Sequence, residues 1–191
     1  PPWSSDGWES VFIGNFGNIL SDCADLVDVY IVDPYVIFLL KKRTESPITF
    51  FGVPLLKSSL EITLLQDLLS QDTDLFTLQS GTRLHYTERQ CQKIELVSAH
   101  LSEVLPEVSD LTRVRLAKLV AHQSSILRDF IPLFLDNRVE EIFLDRPDST
   151  VYFDHSRYGR CHCGFTIRSK EVPRLITLLR SESNLHLDRR N

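Results

Sequence analysis

Apolar positions change period twice along the chain. Val29–Val32 and Tyr35–Leu40 are rich in β-branched and aromatic residues, and Ile48–Val53 repeats that character after the polar run from Lys41 to Pro47. The pattern predicts a β-hairpin over 29–53, closed by Pro54. From Ser58 the spacing becomes helical. Ser58 with Glu61 has the form of a capping box, and Leu60, Leu64, Leu65, Leu68 and Leu69 follow on one face. Thr87 with Gln90 repeats that signature ahead of Ile94, Val97, Leu101 and Val104, until Pro106 stops the pattern. Asp110 opens a third helix carrying Leu111, Val114, Val120, Ile126, Leu127 and Phe130. Residues 58–131 therefore read as mostly helical, with 93–131 an antiparallel pair and the polar 70–86 stretch a linker.

The last third returns to strands. Val139–Leu144 alternates, Pro147-Asp148 turns, Val151–His155 is a second strand, Ser156–Gly159 turns again, and Arg160–Ile167 is a third. Ser169 is placed to cap a final helix with Val172, Leu175, Ile176 and Leu179 on one face, and Pro173 falls in its first turn, where a missing N–H does little harm. The expected fold class is α/β (α+β): a hairpin plus helices, a helical connection, then a small β-β-β-α sheet unit. The expected divisions are an irregular arm over 1–25, a hairpin-plus-helix subdomain over 26–86, and a helical pair with the β-β-β-α unit over 87–191. The arm holds Trp3, Trp8, Phe12 and Phe16 as apolar anchors without a clear period.

Composition narrows the class. The 191 residues are 42% hydrophobic and 25% charged, ordinary for a globular chain large enough to bury a core. The net charge of −5 gives no general reason to expect nucleic acid. The sign is uneven: residues 155–191 carry eight Lys/Arg against three Asp/Glu, so a basic end sits on an acidic body. The four cysteines do not form a disulfide framework, and no apolar run is long enough to span a bilayer, which together point to a reducing cytosol. With no Met and Pro1 at its start, the chain reads as a trimmed piece of a longer protein.

Few motifs carry chemistry. None of the seven glycines precedes a Lys in the G-x-x-x-x-G-K-[ST] pattern, so the chain has no backbone cradle for nucleotide phosphates. Cys161 and Cys163 are two apart on one strand and share a face with His155 within reach, but zinc sites favour wider spacings, and a buried core position is the reading for both thiols; no metal is expected. Asp154, His155 and Ser156 alternate across a strand and cannot converge as a triad. No catalytic residue is expected. Asp145 and Arg146 stand at a strand end before Pro147, either in an ion pair with Asp148 or as an interface contact. Arg157 and Arg160 flank the Tyr158-Gly159 turn, where a guanidinium can be a solvated tip or a reader of phosphate or carboxylate. Arg168, just before Ser169, is the remaining candidate.

The string Asp136–Cys161, DNRVEEIFLDRPDSTVYFDHSRYGRC, resembles the N-terminal domain of archaeal ATPases of the type II/IV secretion superfamily, which includes archaellum and type IV pilus motors. The resemblance runs through Asp136, Glu140, Glu141, Ile142, Val151, Tyr152, His155, Tyr158 and Gly159, with the helix-to-Pro132-Leu133 approach upstream. A second stretch, Tyr30 to Val36 and the Val53-Pro54-Leu55 close, is similar to the family's start, although Tyr35 stands where that pattern has a second Pro. Phe130 stands where the family has a glycine-rich helix end.

The resemblance implies a chain that is not itself catalytic, joined to a RecA-like C-terminal ATPase domain beyond Asn191. It implies a homo-hexameric ring in which ATP and Mg bind in the cleft between the two domains, with the phosphate-binding loop beyond Asn191, and an angle between domains that changes on binding and hydrolysis. It implies that Arg157, Arg160, Arg168, Asp145 and Arg146 face nucleotide or a neighbouring subunit. Partners would be the chain's own ATPase domain, adjacent subunits and a membrane platform protein, at a cytoplasmic location peripheral to the membrane. The alternative is a free-standing PAS-like ligand-binding or protein-interaction domain, which needs an enclosed apolar pocket.

Overall fold

The computed structural model describes residues 23–42, 47–75 and 85–183. It has mixed α/β content, and its centre is a six-stranded sheet in the order β1-β2-β3-β6-β5-β4. The strands are β1 (Cys23–Val32), β2 (Tyr35–Lys42), β3 (Ile48–Pro54), β4 (Val139–Phe143), β5 (Thr150–His155) and β6 (Gly159–Thr166). β1-β2-β3 and β4-β5-β6 are antiparallel meanders, and the parallel pair β3–β6 joins them. Strands from both expected segments, 26–86 and 87–191, therefore lie in one continuous sheet. The expected arm, 1–25, lies outside the described residues except for Cys23, Ala24 and Asp25, which begin β1. Residues 76–84 of the expected linker are likewise outside them.

Five helices are described: α1 (Ser59–Leu75), α2 (Tyr86–Val104), α3 (Asp110–Gln123), α4 (Ile131–Leu135) and α5 (Val172–Ser183). Their starts refine the expected caps. Ser58 Oγ accepts from Glu61 N at 3.2 Å, but the Glu61 carboxylate accepts from Lys57 N at 2.7 Å and reaches Arg115 Nη2 at 2.5 Å with its other oxygen. α2 begins near His85, whose N–H donates to Glu88 Oε2 at 3.0 Å, rather than at Thr87 with Gln90. Ser109, not Asp110, caps α3, accepting from Thr112 N at 3.3 Å. Ser169 caps nothing: its N–H and hydroxyl both donate to Asp148 across the sheet end, and α5 starts at Val172.

The expected third helix to Phe130 is corrected, because α3 stops at Gln123. The two serines that follow explain the stop. Ser124 Oγ turns back to Val120 O at 2.6 Å, and Ser125 Oγ accepts from Leu127 N at 3.0 Å. These side chains offer the backbone partners that compete with helical ones. The chain then re-forms a single turn, α4, with Pro132 at its start.

The helices share one core with one face of the sheet, called the inner face. Tyr35, Ile37, Leu39, Phe50, Val151, Phe153, Cys161 and Cys163 cluster there with Leu65 and Leu68 of α1, Val97 and Leu101 of α2, Leu116, Leu119 and Val120 of α3, and Ile131 and Leu133 of α4. Val172, Leu175 and Leu178 of α5 pack against the same cluster. At Gly52 a Cβ would lie 2.5 Å from the Pro132 Cβ, so glycine is what lets α4 settle on β3. No described helix is long and apolar enough to cross a membrane.

Candidate functional site

Strands β1 and β4 are the two edges of the sheet. In a flat sheet, five strand spacings of about 4.8 Å would separate them by about 24 Å. Yet Tyr30 of β1 donates its hydroxyl proton to Asp136 Oδ2 at 2.6 Å, three residues ahead of β4, and its oxygen lies 3.3 Å from His155 Nε2 at the end of β5. The sheet is rolled, and side chains rather than a backbone ladder join its far sides.

Each member of this seam is set by local geometry. Asp136 follows α4 and is 3% exposed; its Oδ1 accepts from Arg138 N at 3.0 Å, a turn in which a carboxylate replaces a backbone acceptor. His155 ends β5, 2% exposed, and its Nδ1 accepts from Arg157 N at 3.0 Å. Gly159 at φ 66° closes the β5–β6 turn in the left-handed region that glycine enters freely. Ser156 N donates to Arg138 O at 2.8 Å, tying that turn to the start of β4. Tyr158 OH then donates to Asp28 Oδ2 at 2.9 Å, back on β1. Asp28 and Tyr30 are two apart and face the same way.

The bonds fix the protonation states. An N–H aimed at Nδ1 makes it the acceptor, so neutral His155 carries its proton on Nε2 and donates to Tyr30, which donates to Asp136. Burial holds His155 below the usual histidine range, partly opposed by Asp136. Burial, then the bond to Asp136, pushes the Tyr30 phenol far above its ordinary value. Both ring nitrogens of His155 and both carboxylate oxygens of Asp136 are engaged, so the cluster holds no free general base and no nucleophile beside one. Its exposed part is cationic. The Arg138 guanidinium lies over the Tyr30 ring at 3.8 Å, and Arg157 over Tyr158 at 5.2 Å. Both reach the same Asp28 oxygen only at 3.9 Å, with side chains 44% and 75% exposed. Each retains donors for another acid.

The five residues expected from sequence do not form one site. Arg157 belongs to the seam. Arg160 points to the outer face of the sheet, where it pairs with Asp154 at 3.0 and 3.2 Å and lies 4.4 Å above the Phe143 ring. Asp145 accepts from the Tyr152 hydroxyl on that side. Arg146 is exposed, its carbonyl accepting from the Ser149 hydroxyl at 2.5 Å, while Asp148 turns to Ser169 instead of forming the expected ion pair with it. Arg168 is exposed and its N–H donates to Glu171 Oε2 at 3.0 Å. Sequence reasoning assigned no role to Asp28 or Arg138. The signal for Asp28 was an acid two residues from Tyr30 on the inward face of an apolar strand.

Cys161 and Cys163 line the core as expected, and burial pushes their thiols up to about 11 and about 12. Among the described residues no group of His, Cys, Asp and Glu has the arrangement of a metal site. No protein-family model matches the chain, and no curated protein matches it.

Proposed function

We propose that the chain is the N-terminal, non-catalytic region of a secretion-superfamily ATPase, a rigid body that transmits the cycle of an attached RecA-like domain. One observation carries this reading. The two separate stretches that bear the resemblance meet in the seam: Tyr30 from the first, and Asp136, His155, Tyr158 and Gly159 from the second. A hydrogen-bonded lock across the whole width of the sheet makes the unit move as one piece, which a lever between a motor domain and its load requires. Arg157 and Arg138, at the lock's exposed side, are the residues placed to meet the phosphates of ATP with Mg, or a carboxylate of a neighbouring subunit in a homo-hexamer. The load would be a membrane platform protein at the cytoplasmic side. Phe50 and Phe153 meet edge to face at 5.3 Å at the centre of the inner face, where a PAS-like module would keep its cavity open.

The test is the coding sequence after the Asn191 codon. A strand followed by G-x-x-x-x-G-K-[ST] and a helix is expected within about one domain length, roughly 150 residues. A stop codon at once, or a domain without a phosphate loop, would overturn the proposal.

A further inference from the structure

Over β1, β2 and β3 the outer face of the sheet is as apolar as the inner one. Strand register lays it out in two rows. One runs Leu26, Leu40, Thr49, His162, Tyr152, Phe143 from β1 to β4. The other runs Val29, Phe38, Phe51, and on to Gly164, where a Cβ would meet the Phe51 ring. Val36, Val53 and Ile31 extend this surface toward the β1–β2 turn. β2 is apolar on both sides from Tyr35 to Leu40, the pattern of a strand covered on both faces. Yet all five described helices join the inner cluster, to which Leu40 and Val53 do not belong. Leu40 and Val53 are nevertheless only 2% and 7% exposed, while Leu26, Val29 and Ile31 at the β1 edge are 56%, 45% and 64% exposed.

We propose that the chain's own first 22 residues dock across this outer face and complete a third layer over β1, β2 and β3. Connection, length and composition select this occupant. Residue 22 leads directly into β1, beside Leu26 and the exposed edge. Even at a helical rise of 1.5 Å per residue, 22 residues span about 33 Å, more than the roughly 24 Å width of a flat six-stranded sheet. The segment holds Trp3, Trp8, Val11, Phe12, Ile13, Phe16, Ile19 and Leu20, with no Lys or Arg. The other undescribed stretches, 43–46, 76–84 and 184–191, are shorter and carry fewer apolar residues. The proposal is independent of the motor reading.

The chain provides its own probe, because Trp3 and Trp8 are its only tryptophans. Intrinsic tryptophan emission of the intact chain reports the segment alone. Docking predicts native emission at shorter wavelength than in urea, with acrylamide quenching reduced several-fold. Thr49→Arg, a charge at the centre of the face, and Val29→Lys, at an already half-exposed position, should each shift the emission to the red and restore quenching, with far-UV circular dichroism unchanged. If Thr49→Arg fails to fold, Val29→Lys carries the test. Native emission equal to that of the unfolded chain would overturn the proposal. Shielded tryptophans indifferent to the folded variants would overturn it too. So would shielding that appears only as the chain dimerises in sedimentation, since the occupant is then a second copy.

Discussion

Arg115 and Glu61 form an ion pair inside the helical layer, with side chains 7% and 10% exposed and Nη2 2.5 Å from Oε1. The two ends are unequally supported. Glu61 also accepts from Lys57 N and sits in the first turn of α1, where the helix dipole favours an anion by up to about 1 kcal/mol. Arg115 has a buried Nε with no partner among the described residues. Removing the carboxylate by Glu61→Leu leaves a buried cation with no counter-charge, and the expected loss is about 4 kcal/mol. Removing the cation by Arg115→Leu leaves a carboxylate that still has a donor and a dipole, and should cost about 3 kcal/mol. The double variant buries two apolar side chains and no charge. It should lose no more than Glu61→Leu alone, a coupling energy of about 3 kcal/mol. Urea melts followed by circular dichroism, read at constant slope, measure all three. In a thermal melt Glu61→Leu should fall by roughly 8–16 °C for a chain of this size. Additive losses in the double variant, or less than about 1 kcal/mol for Glu61→Leu, would show a solvated pair and refute the reasoning.

Three further outcomes follow from other parts of the fold. Burial, with Lys118 adding to it, pushes His122 down to about 4 from the usual 6.5, so the unfolded chain takes up this proton first as pH falls. Its contribution is whole above pH 6.5, declines by on the order of 3 kcal/mol between pH 6.5 and 4, and is flat below. His122→Gln should make urea-melt stability less steep across that window, where His155, also held down by burial, keeps a slope of the same sign and Asp129, raised by burial, one of the opposite sign. Gly52→Ala should lose about 1–3 kcal/mol in the same melts, because its Cβ would meet the Pro132 ring at 2.5 and 2.8 Å and a proline ring gives way little. With thiols at about 11 and about 12, Cys161 and Cys163 are thiolate in only about a thousandth and a ten-thousandth of molecules at pH 8. Peptide mapping after iodoacetamide should find them unmodified while exposed Cys91 is alkylated; equal labelling of all three would contradict their burial.

The elements with strong periodicity were legible from sequence because burial dictated them. β2 and β3, the alternation of β5 and the face of α2 through Val97 and Leu101 all follow from apolar spacing. The helix ends were legible only to within a residue or two, since Ser109 competes with Asp110, and His85 with Thr87, for neighbouring cap positions. The break at Ser124-Ser125 was visible as residue type and overruled by the apolar spacing of Ile126, Leu127 and Phe130. Pairing of β3 with β6 could not be read at all. It joins residues more than a hundred positions apart, and nothing in either strand names the other. The seam was hidden for the same reason: Tyr30 and Asp136 are 106 residues apart, and each alone looks like an ordinary strand tyrosine and an ordinary turn aspartate.

Rolling the sheet explains why the polar seam exists. A curled sheet brings its far sides close without aligning their backbones for a ladder, and the groups that close the gap must reach. Tyrosine is suited to this, with an apolar ring that packs on the core and a hydroxyl at its tip. Tyr30 and Tyr158 cross the gap in opposite directions, one from β1 to Asp136 and one from the β5–β6 turn to Asp28. His155 lies beneath both, 6.3 Å from the Tyr30 ring and 5.0 Å from that of Tyr158. It can serve there only while neutral, because a proton on Nδ1 would face the Arg157 N–H. The position of Arg157, the most exposed cation of the seam, is therefore tied to the protonation state of a histidine that its own backbone N–H caps. The position of the Arg157 guanidinium is fixed through the β5–β6 turn, and so through the closure of the sheet itself.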